Sequence, residues 1–98
     1  MNTLGLSADL LKQIVDAIVR SAHPKKIVIY GSRARGDFSE TSDVDIAVEC
    51  EESEEFIRNG IDDDVRTLLK LDIVNLGDVD QKLREEIRSE GIVVYEKA

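Results

Sequence analysis

Across residues 10–22 the apolar positions are Leu10, Leu11, Ile14, Val15, Ile18, Val19 and Ala22. Steps of three and four put them on one stripe, which predicts an amphipathic helix. Ser7 offers an N-cap hydroxyl, and Pro24 stops the helix because the residue before a proline avoids helical angles. His23, the single histidine, falls in that stop and reads as a helix-end residue. Ile27, Val28, Ile29 and Tyr30 form a β-branched run ending at Gly31, the pattern of a strand covered on both faces. The stretch 33–36 predicts a turn or two of helix closed by Gly36. Val44, Asp45, Ile46, Ala47 and Val48 read as a second strand, with Asp43 at its entrance.

Behind the acidic residues Glu51, Glu52, Glu54 and Glu55, helical spacing resumes at Phe56, Ile57, Ile61, Val65, Leu68 and Leu69. Acids in a first turn suit the positive end of the helix dipole. Gly60 lies inside this helix at a cost of about 1 kcal/mol relative to alanine. Residues 71–76 predict a third strand, and Gly77 turns the chain. Asp78 or Asp80 caps a helix carrying Leu83 and Ile87, Gly91 ends it, and residues 92–95 make a last short strand. Strands alternating with helices predict a two-layer or three-layer α/β domain.

The 98 residues fit one domain, 1–98, and 42% apolar against 35% charged residues suits a globular chain. No apolar run approaches the about 20 residues of a bilayer span, and the amino terminus lacks the basic segment and long apolar run of a secretory signal. The expectation is a cytoplasmic protein without membrane attachment. Thirteen cationic against 21 acidic residues leave a net charge of −8. Such a surface repels phosphate backbones, and two Tyr, two Phe and no Trp leave little for stacking on bases. Nucleic acid is therefore a poor partner. A basic protein suits the charge, and a nucleotide does so where a metal ion offsets it. The single cysteine excludes an internal disulfide and a multi-cysteine zinc site, and Cys50 reads as a small filler at a strand end.

Candidate chemistry gathers at three places. Gly31 and Ser32 follow a buried strand and open a helix, where glycine permits close backbone approach and helix N–H groups face phosphate. Asp43 and Asp45 are two apart on a strand, so both project from one face. Asp72 is a lone carboxylate among Leu71, Ile73 and Val74, and such charges are rarely buried unless paired or metal-bound. Adjacent carboxylates attract a cation, and oxygen-only donors select Mg²⁺ or Mn²⁺. A third carboxylate from a neighbouring strand completes a site for two metals about 3.5–4 Å apart. An Asp-x-Asp pair alone says little, because Asp62/Asp64 and Asp78/Asp80 repeat it; those read as a solvated helix face and a helix-capping loop. Arg33 and Arg35 either steady phosphates with their forked guanidinium groups or stand as surface charges.

The run Gly31-Ser32-Arg33-Ala34-Arg35-Gly36, followed by Ser42-Asp43-Val44-Asp45, resembles the signature of the DNA polymerase β-like nucleotidyltransferase superfamily. The short chain resembles its minimal branch, the antitoxin partners of HEPN-domain toxins, from about Lys26 onward. The resemblance implies a small mixed sheet of about four strands flanked by helices. It implies Mg²⁺-dependent transfer of a nucleoside monophosphate from an NTP to a hydroxyl, with two ions and Mn²⁺ as a substitute. In the minimal branch the implied reaction moves AMP from ATP to a tyrosine of the partner toxin, in a hetero-oligomer. Gly31, Ser32, Arg33 and Arg35 would then hold the triphosphate, and Asp43, Asp45 and Asp72 would ligate metal. Asp72 would also take the proton of the attacking hydroxyl. The competing expectation is a catalytically weak module that neutralises the same partner by occlusion.

Overall fold

The Ser7 hydroxyl accepts the Leu10 N–H at 3.0 Å and starts α1 (Ala8–Ala22). The helix ends at His23, whose left-handed backbone (φ 47°) caps it with an N–H to the Val19 carbonyl. The computed structural model describes residues 4–98, and the elements after α1 are β1 (Lys26–Tyr30), α2 (Ser32–Arg35), β2 (Val44–Glu49), α3 (Glu54–Asp64), β3 (Leu71–Asn75), α4 (Gln81–Glu90) and β4 (Ile92–Glu96).

The four strands make one mixed sheet in the order β3-β2-β1-β4. β1 pairs antiparallel with both β2 and β4, while β2 and β3 run parallel, with α3 as the crossover that parallel pairing requires. Alternation along the strands gives the sheet two different faces. Ile27, Ile29, Val44, Ile46, Val48 and Ile73 pack under α1 and α3 with Ile14, Ile18, Ile57 and Ile61, forming the main core. Val28, Tyr30 and Ala47 look the other way and meet Ile87 of α4, with Val74, Leu76 and Leu83 around them. Helices on both faces make three layers, one of the two arrangements the sequence predicts. The apolar strand β1 is central, as its continuous burial requires.

Gly60, unfavourable in a helix by propensity, faces α1: a Cβ there would sit 2.8 Å from the Cβ and Oγ of Ser21. Close packing of α1 on α3 explains it. The expected helix through Leu69 is too long, because α3 stops at Asp64. Asp62, Asp63 and Asp64 crowd the negative end of the helix dipole, and Val65 turns to extended angles (φ −113°, ψ 125°). Leu68 consequently points into solvent, 107% exposed, while Leu69 returns to the core. Asp80, of the two candidates, caps α4 by accepting the Leu83 N–H at 2.8 Å. Among the described residues no helix is long and apolar enough to cross a membrane.

Candidate active site

The α4 layer covers one end of its face of the sheet, over Val28 and Ala47, and the carboxylates lie toward the other end. In the ladder Asp45 stands opposite Tyr30 on one side and opposite Asp72 on the other. Three strands thus bring a phenol and two carboxylates into one row across the sheet. Asp43 precedes the first ladder bond, in which the Val44 N–H donates to the Lys70 carbonyl at 2.9 Å. It lies one residue before β2, and its charge acts on Asp45.

The electrostatics agree with the register. The Asp45 carboxyl is held above the ordinary carboxylate range by its partial burial first, then by the negative charges of Asp72 and Asp43, with Arg35 and Lys70 partly offsetting them. Burial, followed by Asp45 and Asp72, pushes the Tyr30 phenol up to about 12. The charges of Asp43 and Asp72 thus both act at Asp45. Among the described residues no three acidic, cysteine or histidine side chains already converge on one point. Strand register sets Asp45 beside Asp72, and Asp43 lies just outside that register.

Gly31 closes the row from the β1 side. Its backbone (φ 76°, ψ −152°) lies where only glycine is at ease, and a Cβ there would drive into Asp45 Oδ2 with Cγ at 3.2 Å. The backbone therefore passes directly against the carboxylate. Ser32 follows as the first residue of α2, and its carbonyl accepts the N–H groups of Gly36 (2.9 Å) and Asp37 (3.2 Å) to close that single turn. Gly36, with φ 93°, ends the helix as the sequence predicts.

The two arginines separate. Arg35 is exposed, bonded to Asp37 (3.3 Å) and Glu90 (3.1 Å), and its charge reaches Asp45. Arg33 is 1% exposed, with its guanidinium turned into the protein onto backbone carbonyls. The expectation that Arg33 holds phosphate is corrected: a group with its donors satisfied inside the fold does not reach a ligand at the surface. Lys70, which no motif in the sequence marks, acts on Asp45 from just before β3. Tyr30 does pack against Ala47 and Ile87, yet it also borders the carboxylates. Its position immediately before Gly31 was the available signal. The remaining Asp-x-Asp pairs are structural, with Asp64 bonded to Arg20 at 2.8 Å and Asp80 serving as a cap. Cys50 is half-buried at the end of β2, as expected of a filler.

The donors in the row are all oxygens, and Gly31 adds no side chain against Asp45. This set fits Mg²⁺ or Mn²⁺ and not a zinc centre built on nitrogen and sulfur.

The family model "Polymerase beta, Nucleotidyltransferase" matches residues 12–98. A relative from Methanocaldococcus jannaschii, provisionally named protein adenylyltransferase MJ1215, is 36% identical over 58 residues, covering 59% of this chain and 67% of its own length. Among solved structures, a toxin–antitoxin complex with AMP-PNP contains a chain that superposes with a TM-score of 0.65 at 20% identity, over 89% of this chain and 73% of that one. A chain from the complex of tri-AMPylated Shewanella oneidensis HEPN toxin with MNT antitoxin gives a TM-score of 0.62 at 16% identity, over 99% and 74%. At such identities the superpositions speak for the fold, and the α/β architecture agrees. With the family model spanning all but the first eleven residues, and the glycine-serine turn set against the aspartate row as described, this chain belongs to the polymerase β nucleotidyltransferase family.

Proposed function

We propose that this nucleotidyltransferase moves AMP from ATP to a tyrosine hydroxyl of a HEPN-domain toxin in the cytoplasm, silencing the toxin within a hetero-oligomer. The observation that carries the reading is the pairing of Asp45 with Asp72 across β2 and β3, beside Asp43 and under the open backbone of Gly31. The names of the M. jannaschii relative and of the S. oneidensis complex supply the acceptor class.

In this reading Asp43, Asp45 and Asp72 hold two Mg²⁺ ions, and Mn²⁺ substitutes. Bound there, the metal neutralises developing phosphoryl charge and orients the reacting oxygens. Gly31 and Ser32 lie along the triphosphate, and Arg35 reaches it by exchanging an exposed ion pair for phosphate oxygens. Asp72 takes the proton of the tyrosine hydroxyl as its oxygen bonds to the α-phosphorus. The bond from that phosphorus to the bridging oxygen of pyrophosphate breaks, and pyrophosphate leaves. Tyr30, held in the neutral phenol form, adds no further negative charge to the row.

The test is mass spectrometry of a HEPN-domain partner co-purified with this chain, after incubation with MgATP. Wild type should add AMP to a tyrosine. Changing both Asp43 and Asp45 to Asn keeps the shape and removes the charge, and should lower the rate by at least about a hundredfold, since the metal contributes several kcal/mol. A partner that is neutralised by the double variant and never gains AMP from wild type would leave occlusion as the function.

A further inference from the structure

We infer that Arg33 is a positioning residue for the carboxylate row, acting on Asp43 through the Ser42 carbonyl; the inference rests on the metal-binding reading of that row. Each of the five guanidinium N–H groups has an acceptor. Nε–H donates to Ser42 O (3.2 Å), Nη1 to Leu4 O (3.0 Å) and Gly5 O (3.2 Å), and Nη2 to Glu40 O (3.2 Å) and Ser42 O (2.9 Å). The ring of Phe38 lies against the guanidinium, 5.0 Å from centroid to Cζ. Among the described residues no carboxylate pairs with it. A buried cation without a counter-ion is costly, and here that cost is offset by donors to four carbonyl oxygens that an apolar side chain would leave without them. What the guanidinium provides is a fixed geometry for carbonyls from two separate segments.

The segment it holds is the one that needs holding. Residues 36–43 contain no strand, and Asp43 lies just before the ladder that fixes Asp45 and Asp72. The Ser42 carbonyl and the Asp43 N–H belong to the same planar peptide. Two N–H groups on that carbonyl set the plane, and the plane fixes where the Asp43 N and Cα sit, the point from which its side chain leaves the backbone. The Ser39 and Ser42 hydrogen bonds (Ser39 N–H to Ser42 Oγ, 2.8 Å; Ser42 N–H to Ser39 O, 3.2 Å) tighten the same turn. The gap between the glycine-serine turn and the aspartate pair thus carries its own lock, anchored in α2 and extended to residues 4–5.

The test measures Mn²⁺ affinity by electron paramagnetic resonance in the presence of AMP-PNP, well below each variant's melting temperature. Wild type, Arg33→Lys, Arg33→Met, Asp43→Asn and the Arg33→Met/Asp43→Asn double variant are compared. Arg33→Met should weaken Mn²⁺ binding by about tenfold or more, the range seen when a partner orienting a metal ligand is removed. Arg33→Lys, with its charge but without the fork, should fall between. In the Asp43→Asn background Arg33→Met should add nothing, because the residue it positions is already lost. Should Arg33→Met fail to fold, Arg33→Lys alone and with Asp43→Asn decides by the same comparison. Unchanged Mn²⁺ affinity in the Arg33 variants, or an equal loss in both backgrounds, overturns the inference alone. Absence of Mn²⁺ binding by wild type overturns the metal reading and the inference with it.

Discussion

Replacing Gly31 with alanine separates the two demands made on that position. The first is conformational: φ 76° with ψ −152° lies in a region reserved for glycine, and a side chain there costs of order 1–3 kcal/mol. The second is steric, because the new Cβ lands on Asp45 Oδ2, well inside the 3.0 Å that real Cβ atoms respect. Aspartate is short and can swing aside, so this second cost stays near the roughly 1 kcal/mol of an off-rotamer side chain. Stability then falls by about 2–4 kcal/mol, and a chain of this size loses about 4–8 °C in melting temperature for each kcal/mol. Gly36→Ala is the matched control, since its φ of 93° imposes strain while nothing lies within 4 Å of the added Cβ. That change should cost about 1 kcal/mol.

Thermal melts by circular dichroism give both values, and Mn²⁺ titration with AMP-PNP gives the effect on the site. Gly36→Ala should bind Mn²⁺ like wild type, whereas Gly31→Ala should bind it at least about tenfold more weakly, because Asp45 has been displaced from the row. Adding Asp45→Ala removes the clash, so Gly31→Ala should cost about 1 kcal/mol less in that background. If Gly31→Ala costs no more than Gly36→Ala and leaves Mn²⁺ binding intact, the close pass between Gly31 and Asp45 has no role in shaping the site.

Two further outcomes follow from burial and charge. The Asp45 carboxyl binds its proton more tightly folded than unfolded, so its contribution favours the fold at low pH and is lost as pH rises from near 3.8 through its elevated folded value. Asp45→Asn should therefore be more stable than metal-free wild type at neutral pH, by less than about 1 kcal/mol because the group is half open to water; urea midpoints of both proteins at pH 4 and pH 7 test this, and parallel curves would contradict it. Leu68→Ser should change stability by no more than about 0.5 kcal/mol, whereas Ile61→Ala should cost about 2–5 kcal/mol, because Leu68 stands in solvent and Ile61 in the main core. A large loss at Leu68 in the same urea assay would restore the longer helix.

The elements were legible where residue type and spacing act locally. Ser7, Pro24, Gly31 and Gly36 mark ends that the backbone respects, and the β-branched run of β1 announces a central strand. The end of α3 was misread because Leu68 and Leu69 continue the helical period, while the three aspartates before them act through the dipole, which periodicity does not register. Sheet order was not legible: whether β3 lies parallel to β2 depends on α3 packing back over the sheet, a long-range outcome. Arg33 was misjudged for a related reason. Its acceptors are backbone carbonyls, which every residue carries, so nothing in the side-chain sequence marks residues 4–5 and 40–42 as its partners.

Asp72 shows how a weak local signal becomes specific. A carboxylate in an apolar strand asks for a partner, yet the sequence places it 27 residues after Asp45, in the middle of an unremarkable strand. Parallel pairing in register sets the two side by side, and a slip of one residue would send Asp72 to the core face among Ile57 and Ile61. Burying a charge there would cost several kcal/mol, so the apolar alternation that builds the core also fixes the register of the acids. On the other side, burial first and then the same charges push Tyr30 up to about 12, and it remains a neutral phenol at physiological pH. The row therefore concentrates negative charge at Asp43, Asp45 and Asp72, with Lys70 and Arg35 only partly opposing it at Asp45. In the proposed function a divalent cation would relieve that repulsion and let a triphosphate approach a chain of net charge −8. Core packing and strand register thus impose on these residues the arrangement that the proposed chemistry needs.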